Sequence, residues 1–413
     1  MTDTTRADIE RYTATFTGRA RDDVLPYWRR TTADRRYGGY RVRDFGSERF
    51  ARVHRWRARQ HAHKQAMAQV RLVWTFSHAT RTGLTDGSGA ELDAAGRGCR
   101  FLVDHFWDDQ FGGWRWETER SGAPFDERKN LYAQVSAIFA LVEYARAAED
   151  AAWLQRALDT YHVIEAHLHD DEFGGWDENR SRDWGPIEAA DRPMVEPIGV
   201  KSANLTLHVM ESYAELADAT GDVRVGASLE EAIDVLRRYF VPDDPAGWCM
   251  FRHPDWGPVD HEEGNIVSYG HVVESAWLLL RAEHVAGREP SWDSFFSLVD
   301  HVLSSGYDHR RGGLFTGGPP TGEATQRQKV WWCQAELVAA LVDAAACRPG
   351  SGYERPLRDT LAFVDAHVAD PMDGVWFEAV AEDGAVVTRT KAHDWQSSYH
   401  DVRTIAKLAA AYR

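Results

Sequence analysis

The stretch Ser268-Tyr-Gly-His271-Val-Val-Glu274-Ser-Ala-Trp277 sets an imidazole and a carboxylate three residues apart at the head of an apolar run. In a helix that spacing puts both on one face. Burying titratable groups is costly unless they are paired or used. The two therefore either satisfy each other or serve a site. Similar groups recur along the chain: Arg71, Tyr132 after Asn130, Asn204 with His208, Trp332 with Glu336, and Trp395 followed by His400 and Arg403. Each has a bland reading as well: Arg71 as a core arginine paired with Glu336, Asn204 as a helix cap, Trp332 and Trp395 as core aromatics.

Three chemistries suit such a set. Three histidines and a glutamate are legitimate ligands for Zn or Mn, but there is no His-Glu-x-x-His motif, and each histidine has its own polar neighbour. No metal is expected. An inverting glycosidase needs two carboxylates opposed across a water; only Glu274, Glu336 and Glu196 are candidates, and the histidines would be surplus. Proton transfer at carbon fits better. A neutral imidazole takes up and returns a proton near neutrality, and helix N-termini with Arg71 can stabilise a developing oxyanion. Two histidines on opposite faces of one carbon would permit inversion.

What must position these residues is a repeat. Gly39, Gly113, Gly175, Gly247, Gly313 and Gly374 recur roughly every 60–75 residues, each in a glycine-aromatic turn between two helical patterns. The turns predict hairpins with positive φ at glycine. The second helix of each pair is the more apolar: Lys64 to Arg81, Leu131 to Ala148, Ser202 to Thr220, Gly270 to Ala286, Val330 to Ala346 and Ser398 to Tyr412. Half-apolar helix pairs must stack to bury their faces. Six of them, with no linker between, predict an all-α fold: a single (α/α)6 barrel over residues 1–413, short β-hairpins at one rim, the apolar helices as a parallel inner ring. All the residues named above then fall in the first turns of that ring and meet at one mouth.

Composition narrows the partners. The 413 residues are 43% hydrophobic and include 17 tryptophans, more than a core of this size needs and common where sugars stack. The formal net charge of −16 disfavours nucleic acid and anionic membranes. Four cysteines without Cys-x-x-Cys spacing fit a reducing compartment. With no signal-like start and no run long enough to span a bilayer, a cytoplasmic protein is expected.

Six segments carry a resemblance: Gln69-Val-Arg71-Leu-Val-Trp-Thr-Phe-Ser77, Arg128-Lys-Asn-Leu-Tyr132-Ala-Gln134, Asn204-Leu-Thr-Leu-His208-Val-Met-Glu211, Val267-Ser-Tyr-Gly-His271-Val-Val-Glu274, Trp331-Trp332-Cys-Gln-Ala-Glu336 and Trp395-Gln-Ser-Ser-Tyr-His400. In this order they resemble the N-acylglucosamine 2-epimerase superfamily, especially its cellobiose and mannose 2-epimerase branch, over nearly the whole chain. The resemblance implies an (α/α)6 barrel without cofactor, acting on glucose- and mannose-configured sugars, free or at a reducing end, as a monomer or homodimer. It implies His271 and His400 as the acid/base pair at C2, acting through a cis-enediolate. His208 and Glu274 would assist ring opening and tune that pair, and Arg71 would hold the C1 or C2 oxygens. Asn204, Tyr132, Trp332, Glu336 and Trp395 would line the sugar site. An aldose–ketose isomerase of the mannose/fructose type shares this set, and an (α/α)6 glycosidase is a more remote alternative. Val272 stands where that branch carries Asp, and is expected to bear on substrate choice, as is the segment Asp183 to Val200.

Overall fold

Helices that are apolar all round belong inside, and six of them are inside here. The computed structural model describes residues 3–42, 63–188, 191–242, 244–259 and 266–412. The helices are α1 (Asp3–Arg19), extended by a π-helical turn (Ala20–Val24) into α2 (Leu25–Thr32), α3 (Ala66–Arg81), α4 (Ala90–His105), α5 (Leu131–Ala148), α6 (Ala152–His167), α7 (Ala203–Thr220), α8 (Val223–Tyr239), α9 (Tyr269–Val285), α10 (Trp292–Ser305), α11 (Trp331–Cys347), α12 (Glu354–Phe363) with a π-helical turn (Val364–Val368), and α13 (Tyr399–Tyr412). Contacts pass from α3 through α5, α7, α9 and α11 to α13, and from α13 back to α3. The inner ring is closed, as the repeat predicts. The remaining helices pack outside it, and α1 meets α13 where the first and last units join. Among the described residues no helix is long and apolar enough to cross a membrane.

The inner helices start in register because each is tied at its head. A two-residue strand precedes each of the first five and pairs antiparallel with the strand after the next unit's hairpin: Lys64 with Thr118, Lys129 with Arg180, Lys201 with Arg252, Val267 with Gly318, Lys329 with Val380. Asn130 caps α5 by accepting the Tyr132 N–H, and Ser202 caps α7 by accepting that of Leu205.

A polar clamp repeats behind these strands. Asp34, Asp108, Asp170, Asp308 and Asp370 each open a hairpin by accepting the N–H two residues on. Each also takes the ammonium of a buried lysine: Lys64 (3.4 Å), Lys129 (3.3 Å), Lys201 (2.6 Å), Lys329 (2.8 Å) and Lys391. Burial works against ionising Asp34, yet Arg120 and Lys64 hold its carboxyl down at about 2. Five residues beyond the lysine, Gln69, Gln134, Gln334 and Gln396 bond the backbone just after the hairpin glycines. Those glycines have positive φ, for example 74° at Gly112 and 71° at Gly113.

The fourth unit departs from the expected hairpin. Gly247 closes a short 3-10 turn, Pro245–Gly247, without positive φ. Val267 stands in the lysine position and Val272 in the glutamine position. Val272 is fully buried and away from the cavity described below. It therefore does not line that cavity, where its expected bearing on substrate choice would place it: it is an apolar core residue at a position where other units use a polar clamp.

Breaking a buried ion pair strands its partner, which costs about 3–5 kcal/mol. Asp308→Asn, which leaves Lys329 buried without its anion, is expected to lower the unfolding free energy by about that much. Urea unfolding measures it. A loss below about 1 kcal/mol would show that the clamps order the hairpins without holding the fold.

Candidate active site

The N-terminal turns of the inner helices surround a cavity of about 340 Å³. Nine of the ten expected site residues line it: Arg71 from α3, Tyr132 from α5, Asn204 and His208 from α7, His271 and Glu274 from α9, Trp332 from α11, and Trp395 and His400 at the head of α13. Glu336 does not. It lies fully buried behind His400, so it acts on the cavity only through its neighbours. Met194 and Val195 add an apolar wall. They belong to the segment flagged between Asp183 and Val200, of which Ala189 and Ala190 lie outside the described residues.

Two chains of hydrogen bonds run down from this cavity and meet at Arg403. In the first, Arg71 donates to the Trp395 carbonyl and to Tyr132 Oη (3.0 Å), Tyr132 Oη bonds His208 Nε2 (2.8 Å), and His208 Nδ1 bonds Glu211 (2.8 Å). Glu211 Oε1 accepts from Tyr399 Oη (2.9 Å) and Arg403 Nη1 (2.6 Å). In the second, His400 Nδ1 bonds Glu336 Oε1 (2.6 Å), which also accepts from Arg403 Nη2 (2.7 Å), while Trp277 Nε1 donates to Glu336 Oε2 (2.9 Å). Arg403 Nη2 also reaches Glu274 (3.0 Å).

These partners decide between the readings that the sequence left open. His271 and Glu274 do not pair, although they share a helix face. His271 Nδ1 bonds Ser268 Oγ (2.8 Å), and its ring lies against Trp332, centroids 4.7 Å apart. The imidazole–carboxylate pair at i,i+3 is His208 with Glu211 instead. The arginine that pairs with Glu336 is Arg403, and Arg71 serves Tyr132. Asn204 is no cap: its amide donates to Glu196 (2.8 Å) and Ser202 does the capping. Glu211, Tyr399 and Trp277 escaped the sequence reading. The His208–Glu211 spacing, identical to that of His271 and Glu274, was the available signal for the first.

Burial governs the protonation of the set. It pushes His271 down to about 3, with His208 and His400 adding to the effect. It pushes His400 down to about 4 although Glu336 pulls the other way. Among the carboxyls burial favours the neutral form throughout, but Arg403 and His400 outweigh it at Glu336, held at about 2, and Arg403 with His208 outweighs it at Glu211. At Glu274, burial and the neighbouring Glu336 prevail over Arg403, and the proton stays. Arg403 thus faces two carboxylates, Glu211 and Glu336, with Glu274 neutral beside them.

Among the described residues Glu274, Glu336 and His400 bring donor atoms within 4.8 Å of one another, close enough for a metal ion. The place such an ion would take is filled from within. Arg403 Nη2 bonds both carboxyls, and a cation added beside the guanidinium would repel it.

The sequence profile of the N-acylglucosamine 2-epimerase family matches residues 53–404. A cellobiose 2-epimerase of Bacteroides fragilis is 29% identical over 389 residues, covering 93% of this chain and 95% of that protein. A D-mannose isomerase of Marinomonas mediterranea is 24% identical, covering 82% and 84%. The solved structure of a cellobiose 2-epimerase from Spirochaeta thermophila superposes with a TM-score of 0.84 at 25% identity, covering 99% of this chain and 98% of that one.

The depressed histidines carry a sign that can be measured. Below about pH 6.5 an unfolded chain protonates both imidazoles while the folded one does not, so they remove stability as pH falls toward about 4. Glu274, Asp401 and Glu178, raised by burial, act oppositely, so a variant must isolate the effect. Relative to wild type, His271→Asn is expected to gain stability by up to roughly 1 kcal/mol per pH unit between pH 6.5 and 4. Urea midpoints at pH 4.5, 5.5 and 7 read this. A pH-independent difference would mean that His271 titrates in the folded protein as it does in the unfolded chain.

Proposed function

The chain belongs to the N-acylglucosamine 2-epimerase family, and on that premise we propose that it is a carbohydrate 2-epimerase, its whole length one catalytic domain. It interconverts glucose- and mannose-configured sugars, free or at a reducing end, by moving the proton at C2. The observation that carries the reading is the state of two histidines. His271 and His400 reach one cavity from α9 and α13, each has Nδ1 engaged, by Ser268 and Glu336, and each is left with Nε2 for a substrate. At about 340 Å³ the cavity is at the small end of the usual range of roughly 300–1,000 Å³, which suits one sugar ring.

The reaction needs one imidazole neutral and the other charged. His271, backed by a hydroxyl and strongly depressed, is the base that takes the C2 proton of the open-chain aldose. The negative charge that develops at the C1 and C2 oxygens meets Arg71, with the proton on Glu274 available as a hydrogen bond. As that charge enters, His400, the histidine with an ionised carboxylate behind it, takes up a proton from water and becomes an imidazolium, while His271 later gives the proton from C2 back to water. His400 then returns a proton to the opposite face of C2, and the reverse reaction exchanges the roles. Tyr132 and His208, hydrogen-bonded to each other, assist ring opening. Asn204, Trp332 and Trp395 hold the sugar, and Glu336 acts by orienting His400. No cofactor is required, because the substrate's own carbonyl acidifies C2.

An aldose–ketose isomerase is the second reading, favoured by the similarity to D-mannose isomerases. It differs in returning the proton to C1. A glycosidase is poorly served: of Glu274 and Glu336 only the first lines the cavity, and both are tied to one guanidinium.

Incubation with mannose, glucose and cellobiose in D2O, followed by NMR, separates these readings. Deuterium at C2 of an epimeric aldose is expected. A ketose product would select the isomerase and bond cleavage the glycosidase, while no exchange with any of the three sugars would sink both proton-transfer readings for them. His271→Ala and His400→Ala are each expected to cut kcat by about 10²–10⁴; near-normal rates would remove them from the acid/base role.

A further inference from the structure

The second large cavity of the barrel lies at the opposite mouth. It measures about 520 Å³ and is lined by C-terminal parts of the inner helices, among them Arg81, Arg281 and Lys407. Arg403 lies on its wall and not on that of the sugar cavity. This arginine therefore touches the site only from behind. Its four hydrogen bonds go to Glu211, Tyr399, Glu274 and Glu336, which come from four helices of the inner ring.

We infer that Arg403 is a positioning residue for the proposed reaction: from the side of the barrel away from the sugar, it holds Glu336 against His400 and Glu211 against His208, and so fixes which nitrogen of each ring faces the cavity. The inference rests on the reading above for what the rings do, though not for how they are held.

The argument begins with Glu336. Its Oε1 is bonded by His400 Nδ1 and Arg403 Nη2 and its Oε2 by Trp277 Nε1, and the residue is fully buried. A carboxylate so held accepts a hydrogen bond from Nδ1–H, and His400 keeps Nε2 bare for carbon. Without the guanidinium, a buried carboxylate in this place becomes costly and takes up a proton. A protonated Glu336 donates to Nδ1 instead and the ring proton moves to Nε2; the ring can then neither form the imidazolium that returns a proton to C2 nor, in the reverse reaction, accept one from it. A wrong tautomer of this kind is enough to cost several orders of magnitude in serine proteases. The same reasoning runs through Glu211 to His208, whose Nε2 meets Tyr132. The charged and titratable groups packed around Arg403 are Glu211, Glu274, Glu336, Tyr399 and Lys407, with His208 and His400 one bond further out. Glu274 and Glu336 compete for the same Nη2, which leaves one ionised and one neutral.

Arg403→Ala tests this, and the rear cavity makes chemical rescue practicable. The variant is expected to lose kcat by about 100-fold with KM changed less than about threefold. Millimolar guanidinium, entering by the cavity of about 520 Å³, should restore much of the rate and leave wild type unaffected. Histidine labelled with 15N reports the tautomer without turnover, with His400→Asn and His208→Asn assigning the signals. In wild type His400 should carry its proton on Nδ1; in Arg403→Ala it should carry it on Nε2, and guanidinium should return it. A kcat within about threefold of wild type, a loss confined to KM, or unchanged tautomers in the variant would each overturn the inference. If Arg403→Ala does not fold, Arg403→Lys replaces it. A single ammonium cannot bridge both Glu211 and Glu336, so at least one ring must change tautomer, and two unchanged rings overturn the inference. Should wild type turn over no sugar, the proposed function falls, while the tautomer result still decides the role of Arg403.

Discussion

Three carboxyls, Glu211, Glu274 and Glu336, sit on the barrel axis with almost no contact with solvent, and one guanidinium makes that arrangement tolerable. Taking a single carboxylate out of water costs several kcal/mol unless its charge is met in place. Arg403 meets two of the three, and the third keeps its proton. Everything functional above depends on that division. It leaves His400 backed by an anion and His271 by a hydroxyl, two environments for two histidines that would otherwise be alike. A closed ring of helices makes the arrangement rigid, since the carboxyls come from α7, α9 and α11 and the guanidinium from α13.

Around this centre the barrel uses a second kind of buried ion pair for a different end. The Asp–Lys clamps at Asp34, Asp108, Asp170, Asp308 and Asp370 tie each hairpin to the strand, or in the last unit the segment, leading into the next inner helix. Each lysine also donates to backbone or carboxylate of the same hairpin, as Lys64 does to the Gly38 carbonyl and Lys329 to that of Gly312. These pairs set where the helices begin, and that sets which residues fall in the first turn. The unit that omits the clamp is the one carrying His271. There Val267 and Val272 replace polar ties with apolar packing, and Ser268 is left to hold the histidine.

How much of this was readable beforehand follows from the range of the forces involved. The repeat, the inner helices and the residues of their first turns are local properties of hydrophobic period and turn chemistry, so Arg71, His208, His271 and His400 could be grouped without a structure. Partnerships across the ring are not local. The i,i+3 spacing of His271 and Glu274 invited a pairing that the structure gives to His208 and Glu211, because Arg403 outcompetes an imidazole for Glu274. Glu336 read as a lining residue because a first-turn neighbour, Trp332, is one; four residues further along α11 it lies a helical turn deeper. Val272 read as bearing on substrate because it replaces an Asp of the resembling branch beside His271, although successive helix positions are turned about 100° apart and it does not line the cavity.

Close approach of two helices is the last requirement, and Gly270 supplies it. A β-carbon there would come within 2.6 Å of the Trp332 ring and 2.7 Å of Cys333 Sγ, closer than real side chains come. Only glycine lets the first turn of α9 lie flat against that of α11. That contact brings the His271 ring to 4.7 Å from Trp332, whose other neighbour in the cavity is His400 at 5.8 Å. The tryptophan thereby spaces the two histidines on either side of one sugar-sized volume. The glycine before His271 is thus a packing residue with a consequence for the shape of the cavity. It sets the distance between two walls of the cavity, while Arg403 sets the charge behind one of them.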